Sequence, residues 1–252
     1  MAKTAILIVN ARKPGHPDTY YPWLDLCLRQ IERHDRSSDY QIYIANGEIE
    51  AEDISVVATY PKVKVFAYRT EKTGAAQHSA GLDFLIEQLD EDIEYFITLD
   101  SDAFPIRDRW IETLINFIET AATVVGVYRD EFVRELEPFV HISCLCMRKQ
   151  DYYRLGIRFT DCHKPEQDFS HFATGEWLKR HASLVGLRRS NVKNRHFLLG
   201  GVYGNLIYHH GAGSRNPIFR TSLDLAHNEE IWSDLREDIF SNLDEVITEF
   251  LG

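Results

Sequence analysis

The sequence predicts an α/β domain in which a mainly parallel sheet is covered by helices on both faces. Three observations carry that expectation. Short apolar or alternating runs recur along the chain. Stretches with a helical apolar period stand between several of them, and strands separated by helices argue for parallel pairing with both sheet faces buried. A chain of 252 residues with 44% hydrophobic content is long enough to bury one large core, and contains no internal repeat or low-complexity linker.

AILIVN (5–10) is a buried-type strand that opens into the loop Asn-Ala-Arg-Lys-Pro-Gly. A helix follows over 21–33, where Trp23, Cys27 and Ile31 recur at successive fours with Leu24 and Leu28 beside them. YQIYIAN (40–46) alternates and gives the second strand, and VKVFAYR (63–69) the third. In residues 71–89 the positions Ala75, Ala76, Ala80, Leu82, Leu85, Ile86 and Leu89 suit a helix packed closely on a sheet. EYFITLDSDAFP (94–105) is a largely apolar strand that stops at acids and a proline. Residues 108–120 form a helix with Trp110, Leu114, Phe117 and Ile118 on one side, and ATVVGVYRD (122–130) is a further strand.

In the second half, HISCLCM (141–147) is strand-like, with Cys144 and Cys146 two apart and so on one face as small apolar fillers. A polar loop leads to a helix from about Thr174. Thr174-Gly175-Glu176-Trp177 reads as a capped helix start whose indole joins the core, the alternative being stacking on a sugar. The C-terminal stretch places Ile231, Leu235, Ile239, Leu243 and Ile247 at four-residue steps among acids, an amphipathic helix that covers its own domain or forms a dimer contact.

Composition removes several function classes. A net charge of −11 opposes general nucleic-acid binding, which rewards a basic face. The richest basic stretch, Arg188, Arg189, Lys193 and Arg195, is a flap, an acceptor contact or a solvated loop. Cys27, Cys144, Cys146 and Cys162 lack the spacing of a disulfide framework or a zinc site. The opening MAKTAILIVNARK reaches a strand at once, and no apolar run approaches the roughly 20 residues that span a bilayer. The expectation is a cytoplasmic chain, any membrane association being peripheral.

The chemistry concentrates on Asp100-Ser101-Asp102. In open α/β sheets ligands bind at the carboxyl ends of strands. Residues two apart at a strand end point to the same side, so the two carboxylates can converge on a divalent cation, or split between a cation and a ribose hydroxyl. Hard oxygen ligands favour Mg2+ or Mn2+.

The stretch YFITLDSDAFPIRDRWIETLI resembles the metal-binding segment of GT-A glycosyltransferases, in which a hydrophobic strand ends in Asp-x-Asp before a helix, and HSAGLDFLIEQL resembles the helix before that strand. The order of these pieces after AILIVNARK and the third strand, ending at Arg69, extends the resemblance over the first half of the chain. It implies a Rossmann-like GT-A fold, residues 1–222 forming the nucleotide-sugar-dependent domain and 223–252 its helical extension. It implies transfer of a sugar from a nucleotide-diphosphate donor to a hydroxyl acceptor, with Mn2+ or Mg2+ as cofactor. Asn10, Arg12, Arg69, Asp100, Ser101 and Arg215 would contact the donor.

GNLIYHHGAGSR (204–215) resembles the late segment whose histidine returns to the metal. Adjacent residues on an extended segment point opposite ways, so one of His209 and His210 meets the ion. His210 is the first choice, making Asp100, Asp102 and His210 the metal set. Gly211 and Gly213 would let the backbone approach the diphosphate, and Arg215 would bring a guanidinium to it. In the inverting enzymes an acid in a Glu-Asp-like segment deprotonates the acceptor, and Gln167-Asp168 occupies that place. Asp168 is the catalytic base expected, with Asp161 and Glu166 as rivals, and inversion follows from the same resemblance. The other classes weighed are a sugar nucleotidyltransferase, opposed by the absence of repeated glycines in NARKPGHPD, a dehalogenase-type phosphatase, opposed by Phe104, and a non-catalytic sugar-nucleotide or metal-binding module.

Overall fold

A computed structural model describes residues 3–10, 20–47, 57, 59–72, 74–130, 138–160, 170–190, 201–210 and 229–251. Ten strands and six helices are found among them. The strands are β1 (Lys3–Asn10), β2 (Tyr40–Asn46), β3 (Val63–Ala67), β4 (Ile93–Leu99), β5 (Ala103–Pro105), β6 (Val124–Arg129), β7 (Phe139–Arg148), β8 (Leu184–Leu187), β9 (Gly201–Tyr203) and β10 (Ile207–His209). The helices are α1 (Tyr20–His34), α2 (Gly74–Glu87), α3 (Trp110–Thr120), α4 (Lys149–Leu155), α5 (Ser170–His181) and α6 (Glu229–Leu251).

Seven strands form the central sheet in the order β3-β2-β1-β4-β7-β6-β8. β1 runs parallel to β2 and β4, β2 to β3, and β6 to β8, while β7 alone is antiparallel to both of its neighbours. The expectation of a mainly parallel sheet holds, and β7 is its exception. Because β1, β2, β4 and β6 point the same way, Asn10, Asn46, Leu99 and Arg129 end on one edge.

Strand alternation divides the core into two layers. Along β1, Ile6 and Ile8 face a cluster with Leu24, Cys27, Leu28 and Ile31 of α1 and Trp110, Leu114 and Ile118 of α3. Ala5, Leu7 and Val9 face the other side, with Leu82, Leu85 and Ile86 of α2, Tyr152 of α4 and Leu178 of α5. Each fully buried side chain of this size stabilises the fold by about 1.5–3 kcal/mol. Cys144 and Cys146 lie in the first layer, fully buried, and burial raises both thiols well above their ordinary range. They are the apolar fillers the spacing suggested.

Two helices approach the sheet closely where glycine stands. A Cβ on Gly81 would come within 2.8 Å of Val9 Cγ1, and one on Gly175 within 2.7 Å of Phe139 Cβ and the Val140 oxygen. Gly81 sets α2 against the carboxyl end of β1, which brings the first half of α2 over the functional edge.

The structure corrects several boundaries. Residues 94–105 are two strands: β4 ends at Leu99, Asp100 to Ala103 make a turn closed by Ala103 N–H donating to Asp100 O at 2.9 Å, and β5 then joins a different sheet. That second sheet is antiparallel, ordered β5-β10-β9. β3 stops at Ala67, short of Arg69. α5 begins at Ser170, so Thr174 lies inside the helix rather than at its cap. Trp177 packs at the margin of the second core layer with its ring 4.3 Å from that of His181. The helix α4 and the strands β8 and β9 are too short to carry a clear period and have no counterpart in the sequence reading.

α6 packs on its own chain. Ile239 and Val246 are buried in a third cluster with Trp23, Leu26, Phe104 and Tyr208, and Leu243 and Ile247 lie against it. Arg33 of α1 makes a two-pronged contact with Asp244 at 2.7 and 3.2 Å. Non-helical backbone at Asn242 breaks the helix within this contact. No described helix is long and apolar enough to cross a membrane.

Candidate metal and donor site

The site is built from the turn after β4. Asp100 N–H donates to Ser143 O of β7 at 3.0 Å, and His210 N–H donates to Asp102 O at 3.0 Å. These bonds fix both ends of the turn. β10 pairs with β5 so that His209 stands opposite Ala103, one residue after Asp102.

That register decides which histidine enters the site. Residues directly opposite in an antiparallel pair share a face. Tyr208 stands opposite Phe104, their rings 5.0 Å apart, and both belong to the cluster beneath α6. His210 is on the Tyr208 side: its ring lies 4.5 Å from Trp23, and its Nδ1 is 2.9 Å from the Tyr208 hydroxyl. Burial first, then His209 and Arg236, push its pKa well below the ordinary imidazole value, so it is neutral. His209 faces the other way, its Nε2 3.5 Å from Asp100 Oδ2 and 3.7 Å from Asp102 Oδ1. The structure therefore joins His209, not His210, to the two aspartates, because the β10 register commits His210 to the aromatic cluster.

The donor set fits a hard divalent cation. One ligand atom from each of Asp100, Asp102 and His209 lies within 4.8 Å of the others. The two imidazole-to-carboxylate distances are too long for direct hydrogen bonds, whereas cis and trans ligands on one octahedral ion with bonds of about 2.1 Å are roughly 3 to 4 Å apart. His209 and Asp102 are 3% and 6% exposed. The Asp100 side chain is 18% exposed, and two carboxylates this shielded and this close repel unless a cation lies between or beside them. Burial pushes the Asp100 carboxyl up, but His78 and His209 outweigh it and hold it well below the usual carboxylate range. It is ionised and ready to ligate.

Further groups surround this set. His78 of α2 places Nε2 3.1 Å from Asp100 Oδ1. His141 at the start of β7 stacks 5.7 Å from His209, and its Nδ1 accepts the Ser143 N–H at 3.0 Å, which puts the neutral ring's proton on Nε2. At the ends of β1 and β2, Asn10 Nδ2 donates to Asn46 Oδ1 at 3.1 Å, and both residues are buried. His78 and Asn46 escaped the sequence reading as site residues. His141 was noted there only as part of its strand. Asn46 was visible as the second asparagine closing a strand, but His78 had no local signal.

The remaining expectations divide clearly. Ser101 is half-buried in the turn between the aspartates. Arg69 is exposed beyond β3, three strands from β4 and so roughly 14 Å across the sheet from the aspartates. Arg12, Asp161, Glu166, Asp168, Gly211, Gly213 and Arg215 lie outside the described residues. Of the basic stretch, Arg188 lies 3.8 Å from Asp130 and 5.3 Å over the Tyr128 ring.

The split between the histidines gives a paired prediction. His209→Ala is expected to weaken Mn2+ binding at least tenfold in titration calorimetry while shifting Tm little. His210→Ala is expected to lower Tm, because it opens a hole beside Trp23, and to disturb the ion less.

No protein-family model matches the chain, and no curated protein matches it by sequence. Solved structures match it in shape. A 4-diphosphocytidyl-2C-methyl-D-erythritol synthase from Anaerococcus prevotii shares 14% identity at a TM-score of 0.51, over 73% of this chain and 86% of that one. A mannosyltransferase from Pyrobaculum calidifontis, solved with GDP-Man and Mn2+, shares 13% identity at a TM-score of 0.52, over 73% of this chain and 54% of that one. The glycosyltransferase GlyE of Streptococcus pneumoniae, in another structure, gives 15% identity and a TM-score of 0.51, over 73% and 45%. The chain thus spans about half the length of these two glycosyltransferases. With its strand order and its Asp-x-Asp turn at the carboxyl end of β4, the architecture is the GT-A fold that the sequence resemblance implied.

Proposed function

We propose that this chain is a metal-dependent glycosyltransferase that moves a hexosyl group from a nucleotide-diphosphate sugar to a hydroxyl acceptor. One observation carries the reading: Asp100, Asp102 and His209 converge at the strand edge where this fold binds ligands. Asp100, Asp102 and His209 hold Mn2+ or Mg2+. When bound, the ion neutralises the donor's diphosphate and stabilises the nucleoside diphosphate as it leaves.

The chain's own residues divide the remaining work. Ser101 lies between the ligating aspartates, where its hydroxyl is available to the donor ribose or phosphate. Asn10, pinned by Asn46, offers its buried Oδ1 at the neighbouring strand end to the nucleoside. Arg12, Arg69 and Arg215 supply cations to the donor. Asp168, with Asp161 and Glu166 as rivals, takes the acceptor proton in a direct displacement that inverts the anomeric centre. These last assignments rest on the resemblance of their segments.

The test is a panel of nucleotide-diphosphate sugars assayed for binding and for sugar release, with Mn2+, Mg2+ or chelator. Metal-dependent release from one donor class is the expected result. Binding that is indifferent to chelator would contradict the reading. Product anomers followed by NMR decide inversion.

A second reading has one observation in its favour, the 86% coverage of a synthase whose named product carries a diphosphocytidyl group. A nucleotidyltransferase would release pyrophosphate from a nucleoside triphosphate and a sugar phosphate. The sequence after β1, ARKPGHPD, lacks the repeated glycines that would cradle a triphosphate. Pyrophosphate release in the same panel distinguishes the two.

A further inference from the structure

The geometry points to His78 as a positioning residue that holds one oxygen of Asp100 so that the other is presented to the metal; the inference rests on the metal-site reading above.

Asp100 has two oxygens and two imidazole neighbours, one at each. His78 Nε2 stands 3.1 Å from Oδ1, and His209 Nε2 stands 3.5 Å from Oδ2. The contacts differ in kind. Oδ2 faces the ligand cluster, within reach of the same ion as Asp102 Oδ1 and His209 Nε2. Oδ1 is the oxygen that meets His78 of α2, and His78 is not one of the residues whose ligand atoms converge. A carboxylate at a strand end can rotate about its terminal torsion, whose preference is broad. A donor at Oδ1 removes that freedom and leaves Oδ2 aimed at the ion.

The scaffold holds His78 in place for this task. It lies one turn into α2 and three residues before Gly81, so the two share a helix face. Gly81 lets that face close on Val9 near the end of β1, and β4 is the strand beside β1. The histidine side chain is 16% exposed and the Asp100 side chain 18%, so the contact is shielded from water, which strengthens it. The contact is within hydrogen-bond distance but its alignment is not yet that of a hydrogen bond; contacts of this kind commonly tighten when the ligand arrives. Outer groups that orient metal-ligating side chains typically change metal affinity by 10- to 100-fold when removed.

The experiment is Mn2+ titration calorimetry on the native chain, Asp102→Asn, His78→Leu and His78→Gln, each paired with a thermal melt without metal. Glutamine carries its amide nitrogen to about the position of Nε2 and keeps the donor; leucine fills the space without one. The expected result is that native protein binds Mn2+, Asp102→Asn does not, His78→Leu binds 10- to 100-fold more weakly, and His78→Gln stays within a few-fold of native. Equal affinity for His78→Leu and native overturns the positioning role while leaving the metal site intact. Equal loss in both His78 variants also overturns it, since the imidazole would then be a ligand itself. Native protein that binds no Mn2+ overturns the metal site and this inference together. A melting temperature unchanged in His78→Gln, with affinity restored, separates positioning from a merely structural part.

Discussion

Asp102→Asn is expected to abolish measurable Mn2+ binding and to reduce donor turnover by at least about a hundredfold, without destabilising the metal-free protein. The amide is nearly isosteric with the carboxylate, and the turn is held by backbone bonds, from Ala103 N–H to Asp100 and from His210 N–H to Asp102, that the substitution leaves alone. What disappears is one negative charge in a site where Asp102 is 6% exposed and its oxygen is 3.7 Å from His209. Without metal, Asp100 and Asp102 repel across this small space, so removing one charge relieves the apo state. Tm measured with chelator should stay level or rise, while the rise in Tm that Mn2+ gives the native chain should vanish. A variant that melts early in chelator would show Asp102 to be structural.

The largest expected effect on stability comes from Asp83→Ala, far from the metal. Asp83 is 3% exposed on α2, and its carboxylate accepts four hydrogen bonds: from the Tyr152 hydroxyl at 2.8 Å, Phe159 N–H at 2.9 Å, Thr160 N–H at 2.8 Å and the Thr160 hydroxyl at 2.5 Å. Alanine leaves these donors without their acceptor in a region where Phe159 is fully buried. A loss of about 3–5 kcal/mol follows, which lowers Tm by roughly 10 °C in a domain of this size. Asp83→Asn keeps one oxygen and turns an amide nitrogen toward N–H donors, so an intermediate loss is expected in chemical denaturation. The same carboxylate anchors residues 159 and 160, immediately before the segment that carries Asp161, Glu166 and Asp168. A Km for the acceptor that rises in Asp83→Asn more than the Km for the donor would connect this anchor to the acceptor side.

The sequence carried the central elements because burial wrote them into its periodicity. β2 matches its alternating run over 40–46, and α1 buries Trp23, Cys27 and Ile31 as their spacing required. Asp100 and Asp102 were legible because a hydrophobic strand ends directly before them. The choice between His209 and His210 was not, since alternation says only that they diverge. Which one meets the aspartates depends on β10 pairing with β5, a contact between residues about a hundred apart in sequence. Tyr208 held a local hint: it is two residues from His210, so their shared face is the aromatic one. His78 was invisible for a similar reason. On its own helix it is one of three consecutive polar residues, between Gln77 and Ser79, and its role exists only where α2 crosses the end of β1.

The central claim is most directly tested by anomalous scattering at the manganese edge from crystals grown with Mn2+ and a nucleoside diphosphate. The account predicts one strong peak at about 2.1–2.3 Å from an oxygen of Asp100 or Asp102 and from His209 Nε2, with no density bridging to His210. A peak coordinated by other residues, or none at millimolar Mn2+ with the nucleotide bound, would contradict it.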